Sequence, residues 1–67
     1  KIYPNPTTGE FKISMMKGIY TIVNSIGEIV RIIEVRNDTE VVDVKGLQQG
    51  IYYIIGKAVK VKIIIAK

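Results

Sequence analysis

The feature that most constrains this chain is its choice of apolar residue. Among 67 residues there are 14 Ile and 8 Val, while Leu47 is the only Leu and Ala occurs only at Ala58 and Ala66. β-branched side chains are stiff about the first torsion and pack well on a pleated surface. Helices favour Leu, Ala, Met and Glu, so this palette argues against them. No stretch of 10 to 15 residues shows a helical period, which removes the crossover helices that parallel strands need. The chain reads as all-β.

Turn signals cut it into six or seven short strands. Lys1 to Tyr3 leads into a proline-rich turn ending at Gly9. From Glu10 to Met15 the residues alternate, with Phe11, Ile13 and Met15 on one face. Ile19 to Asn24 sets Tyr20 and Ile22 against Ile19, Thr21 and Val23. Asn24-Ser25-Ile26-Gly27 predicts a tight hairpin, with Gly27 in the left-handed position that closes a bulged type I turn. The return strand, Glu28 to Arg36, slips in phase between Ile32 and Ile33, which predicts a bulge or a change of covered face there. Glu40 to Val44, Ile51 to Ile55 and Val59 to Ala66 complete the set. Short strands at this spacing predict a sandwich or a small barrel, and two antiparallel sheets of three or four strands fit the length. A chain this short buries only about 60% of its unfolded surface, so the core must be small.

Composition narrows the function. There is no Cys and no His, hence no disulfide framework, zinc-finger spacing, thiol nucleophile or imidazole base. The expectation is a protein without catalysis and without a cofactor. No window approaches the roughly 18 apolar residues of a membrane-spanning helix. The chain opens on Lys1 and shows no signal-peptide pattern, so residues 1–67 are expected to be one domain, a processed piece or an excised part of something longer.

Four blocks then become informative together. Tyr3-Pro4-Asn5-Pro6-Thr7-Thr8-Gly9-Glu10-Phe11 resembles the opening of the type IX secretion system C-terminal sorting domain. Tyr20 to Val30 is similar to its central hairpin, and Val42 to Tyr53, which contains Leu47-Gln48-Gln49-Gly50-Ile51-Tyr52, to its Leu-x-x-Gly-x-Tyr segment. Lys62-Ile63-Ile64-Ile65-Ala66-Lys67 resembles its ending, an aliphatic strand closed by a basic residue. The resemblance implies a seven-strand Ig-like sandwich at the C-terminus of exported cargo. It implies transit through the periplasm, passage across the outer membrane of a Gram-negative bacterium, and removal by a sortase-like surface peptidase. The cargo is then released or held at the surface. Such a domain is an address label without a reaction of its own. One departure is the short link Gly56-Lys57-Ala58, which leaves room for a shifted register in the last pairing.

The motif residues Tyr3, Pro4, Asn5, Pro6, Gly9, Gly27, Leu47, Gly50 and Tyr52 read mainly as structural. Prolines fix an entry turn, and glycines sit where turns need permissive torsions. Leu47, Gly50 and Tyr52 are similar to the tyrosine corner of Ig-like folds, in which the hydroxyl bonds a backbone carbonyl a few residues upstream. The last strand is the candidate for partner recognition. After Asp43 there is no acidic residue, yet Lys45, Lys57, Lys60, Lys62 and Lys67 follow. Lys60 and Lys62 share one face, Ile63, Ile64 and Ile65 would supply apolar contact, and Ala66-Lys67 ends the strand. The partner would be a component of the secretion machinery, reading the strand by strand addition and charge. Lys on an exposed strand also discourages unwanted pairing. The Ile-rich terminal strand is nevertheless expected to let the isolated domain self-associate.

Rival readings are weaker. The net charge of +4 fits nucleic-acid binding only in part, because Arg is scarce and the tyrosines lie in strand patterns rather than a stacking platform. Asp38, Glu40 and Asp43 lack calcium-loop spacing. An Ig-like accessory module, binding glycan or bracing a neighbour, is the main alternative; it would usually expose more aromatics for sugar stacking.

Overall fold

In the computed structural model, which describes residues 2–3 and 7–66, seven strands form two antiparallel sheets. They are β1 (Ile2–Tyr3), β2 (Glu10–Ile13), β3 (Gly18–Val23), β4 (Ile29–Val35), β5 (Glu40–Asp43), β6 (Gly50–Ile55) and β7 (Lys60–Ile65). One sheet has the order β1-β2-β5 and the other β4-β3-β6-β7. Between them lies a core of Phe11, Ile13, Val42 and Val44 from one sheet and its flank. Tyr20, Ile22, Val35, Tyr52, Ile54, Ile63 and Ile65 face them from the other sheet, with Leu47 closing one end. The period of two seen in the sequence is thus the period of burial.

The four-stranded sheet contains an internal repeat. Gly18-Ile19-Tyr20 opens β3 and Gly50-Ile51-Tyr52 opens β6. In β3–β4 the register runs Gly18↔Val35, Ile19↔Glu34, Tyr20↔Ile33; in β6–β7 it runs Gly50↔Ile65, Ile51↔Ile64, Tyr52↔Ile63. Both glycines have φ 154°, a conformation that L side chains rarely adopt. The Tyr52 hydroxyl donates to the Gln48 carbonyl at 2.7 Å, the corner bond expected for it, and Tyr20 does the same to Met16 at 2.6 Å. Ile22 and Ile54, equivalent in the repeat, are also direct partners across β3–β6. A local pseudo-twofold axis therefore passes between them and relates the two hairpins.

The hairpin turns differ. At 24–28 the Gly27 amide donates to the Asn24 carbonyl at 3.0 Å with φ 89°, the bulged turn expected there. The Asn24 side-chain oxygen also accepts from the Ile26 and Glu28 amides at 3.1 and 2.9 Å. The β6–β7 turn is closed by the Gly56 amide on the Val59 carbonyl at 2.9 Å. The pairing that follows is regular from Ile55↔Lys60 to Gly50↔Ile65. The short link therefore brings no register shift, because two residues suffice to reverse the chain.

Two further expectations are corrected. The irregularity in β4 lies not at Ile32/Ile33 but at Val30, since Ile22 faces Arg31 while Val23 faces Ile29. Ile32 points out and Ile33 in, as plain alternation requires. Gly9 and Gly46 do not have positive φ. What they provide is close approach: a Cβ on Gly9 would lie 3.1 Å from Lys45 Cγ, and one on Gly46 3.0 Å from Arg31 Nη2.

Candidate functional site

The candidate recognition strand, β7, is an edge strand whose residues alternate strictly. Val61, Ile63 and Ile65 point into the sandwich, with Ile63 and Ile65 fully buried. Lys60, Lys62 and Ile64 point outward, and Ile64 keeps 37% of its surface. The triple Ile63-Ile64-Ile65 therefore cannot act as one apolar contact. Two of its members hold the strand to the core, and Ile64 alone of the three points outward.

The outer face of β7 is electropositive. Lys60 Nζ sits 5.1 Å from the centroid of the half-buried Tyr53 ring, a cation–π contact. This gives Tyr53 a place on the outer face, where its cross-strand partner is Lys62. The basic stem thus lies over an aromatic plate instead of extending freely into water.

The edge of β7 is engaged by the opening motif. The Thr7 amide donates to the Ile64 carbonyl at 2.8 Å, and the Ala66 amide donates to the Thr7 carbonyl at 2.7 Å, forming a parallel bridge between Thr7 and Ile65. Thr7 is itself 1% exposed. Its hydroxyl donates to the Glu10 carbonyl at 2.6 Å and accepts from the Gly9 amide at 3.4 Å. An added strand cannot pair with the Ile64 carbonyl or the Ala66 amide while Thr7 holds both. Thr7 had no signal in periodicity, because its partners lie at the far end of the chain. Only its position within the opening motif pointed toward it.

The other motif residues fall in several places. Pro4, Asn5, Pro6 and Lys67 lie outside the described residues. Tyr3 pairs with Lys12 and is 42% exposed, so it is not a core tyrosine. Gly9 is buried beside Thr7, and the Val44 amide donates to its carbonyl at 2.8 Å. Leu47 is buried, and its amide donates to the Val44 carbonyl at 3.0 Å. Gly27, Gly50 and Tyr52 serve turn and corner, as described above. Tyr20 was missed as a corner residue, although the Gly-Ile-Tyr repeat is visible in the sequence.

The acidic residues of 37–43 serve the loops. Glu40 Oε1 accepts from the Arg36 and Asn37 amides at 3.0 and 3.2 Å and from Asn37 Nδ2 at 3.0 Å. Asp43 Oδ1 accepts from the Lys45 amide at 2.9 Å. At the edge of β4, Arg36 donates to Glu34 at 2.8 Å; that bond and the guanidinium charge hold the Glu34 carboxyl below its ordinary value. A groove of about 580 Å³ beside Tyr20 and Val59 is lined by Lys17 and Lys57 but by no carboxylate, and so offers no acid–base pair.

No curated protein and no solved structure matches the chain at a significant level. A family model does, described as the secretion system C-terminal sorting domain, over residues 1–66. Three of the four sequence blocks fall within that span, and the fourth does as far as Ala66. The all-β fold of two antiparallel sheets agrees. The chain belongs to the secretion system C-terminal sorting domain family, the signals that direct type IX export across the outer membrane to the cell surface or beyond.

Proposed function

We propose that residues 1–67 form a single sorting domain of a larger exported protein, and that the secretion machinery reads it at the outer face of β7. The contact residues are Lys60, Lys62 and Ile64, continued by Ala66 and Lys67; Ile63 and Ile65 act only by fixing the strand. The carrying observation is that Lys60, Lys62 and Ile64 share one outward face in a segment without a carboxylate after Asp43. Because Thr7 holds the edge at Ile64 and Ala66, the partner reads a face rather than adding a strand there. That engagement also opposes self-association through the C-terminal end of β7. In this reading the exported protein crosses the periplasm, and a sortase-like surface peptidase then cuts upstream of the domain.

The test is export of a fluorescent reporter carrying this chain at its C-terminus, in a bacterium with type IX machinery. Deleting Lys62 to Lys67 would not separate recognition from folding, since it removes two fully buried side chains. The pair Lys60→Glu/Lys62→Glu and the single change Ile64→Asp are better probes. The expected outcome is a folded reporter retained in the cell, with Asp38→Ala exported normally. Normal export of the charge-reversed pair would overturn the assignment to β7.

A further inference from the structure

Beyond the pair Thr21↔Ile55 the ladder between β3 and β6 stops, whereas β3 stays paired to β4 as far as Gly18↔Val35. β6 ends at Ile55, and the Gly56 amide turns to the Val59 carbonyl at 2.9 Å. Between the start of β3 and that turn lies the groove of about 580 Å³, a size within the roughly 300–1,000 Å³ of binding pockets. Its lining is mainly apolar, with Met16, Ile19, Ala58 and Val59 beside the buried Tyr20. Its charges are of one sign. Lys17 and Lys57 both line it, and neither pairs with a carboxylate among the described residues. Glu34, opposite Ile19 in the β3–β4 register, is held by Arg36.

The backbone of β3 is open on this side. Alternate residues of an antiparallel strand exchange bonds with the same neighbour. The Gly56 amide goes to Val59 and not to Tyr20, so Thr21 is the residue that exchanges bonds with β6. Ile19, two residues earlier, therefore turns its amide and carbonyl to the same side, where β6 has already ended.

We infer that this groove binds an extended peptide segment of another protein, in which an aliphatic side chain stands next to a carboxylate. The Ile19 main chain starts an added strand, the apolar lining takes the aliphatic side chain, and Lys17 and Lys57 flank the carboxylate. A fatty acid would leave the Ile19 groups unmet. It would also need most of its surface covered, whereas Met16 and Ile19 are 84% and 68% exposed. A second copy could offer Glu40-Val41-Val42-Asp43 of the edge strand β5, but Glu40 and Asp43 already accept from loop amides. The inference stands apart from the reading of β7, since it uses none of the outward residues of that strand.

The experiment titrates the nitrogen-15-labelled chain with the peptide acetyl-Gly-Val-Glu-Val-Gly-amide. The amide signals of Ile19 and Ala58 should shift. Affinity should fall about two- to tenfold when Gln replaces Glu in the peptide, and again in the Lys17→Gln/Lys57→Gln chain, the range for two screened ion pairs. Both lysines are exposed, so that variant should melt with the parent. Methylating the three central amide nitrogens of the peptide should abolish the shift at Ile19. No shift at millimolar peptide, or equal binding of the Gln peptide, would overturn the inference. Octanoate binding there as tightly as the peptide would overturn it in favour of a lipid carboxylate. A dimer of the chain dispersed by the lysine substitutions would overturn it in favour of a second copy.

Discussion

The hairpins β3–β4 and β6–β7 share a register, a Gly-Ile-Tyr opening and a tyrosine–carbonyl bond, yet they present opposite chemistry at equivalent outward positions. Where β4 carries Ile29, Ile32 and Glu34, β7 carries Lys60, Lys62 and Ile64. Inside the sandwich the pattern differs again. Opposite the buried Ile22, β4 carries Arg31, which is exposed, whereas opposite the buried Ile54 β7 carries the half-buried Val61. Only the first hairpin has a bulge, and only the second has its edge engaged by Thr7. Backbone geometry is duplicated because paired glycine, tyrosine and isoleucine positions dictate it. Surface chemistry is not constrained by the fold, so each hairpin is free to serve a different contact.

The comparison breaks first at the core. Ile63 is fully buried and its equivalent Ile33 only half-buried. Ile63→Ala should cost about 2–5 kcal/mol and Ile33→Ala distinctly less; urea midpoints of the two variants check this. Equal losses would mean that the hairpins are packed alike.

The turns come next. A Cβ on Gly56 would lie 2.5 Å from the Tyr20 ring, and that ring is tethered to Met16 by its hydroxyl. Gly56→Ala should therefore cost about 1–3 kcal/mol by overpacking. Asn24→Ala in the first hairpin loses side-chain bonds to exposed amides and should cost only about 1 kcal/mol. Thermal unfolding of both variants gives the order.

The corners sharpen the equivalence. Tyr20→Phe and Tyr52→Phe each remove one hydroxyl–carbonyl bond, so each should lose about 0.5–1.5 kcal/mol, and by similar amounts. Markedly unequal melting shifts would show that the pseudo-twofold stops at the backbone.

The smallest effect is electrostatic. The Glu34 carboxyl is held low by its bond to Arg36 and by the guanidinium charge. A carboxyl depressed in the folded state contributes stability above its unfolded value and loses it as pH falls through the folded one. The pair is solvent-exposed, so the contribution is slight. Glu34→Gln should flatten a shallow acid-side slope in melting temperature, with no counterpart from Ile64 in β7.

Much of the fold was legible because β burial has a period of two. Alternation grouped Phe11 with Ile13 and Tyr20 with Ile22, each pair on one face of its strand, and all four are buried. Gly27 announced its turn through local chemistry. The same alternation separates Ile64 from Ile63 and Ile65, although as a run of three they read as one apolar strip. The bulge was misplaced because an extra residue is fixed by which partner carbonyls and amides align, and one strand's sequence carries no record of its partner's phase. The opening motif was legible as a turn, but Thr7 as a holder of the last strand was not.

What the sequence determined by itself is therefore local and periodic: an all-β chain, its strands and tight turns, a basic final segment, and membership of a sorting family. Tertiary structure decided what depends on residues far apart in the chain. It set the edge of β7 against Thr7, the side chain of Lys60 over Tyr53, and six isoleucines from four strands on one uncovered face. Composition specifies how much apolar surface a chain has to bury, whereas sheet order and register decide which part is left outside. Here that remainder lies on the side where β7 turns its lysines outward.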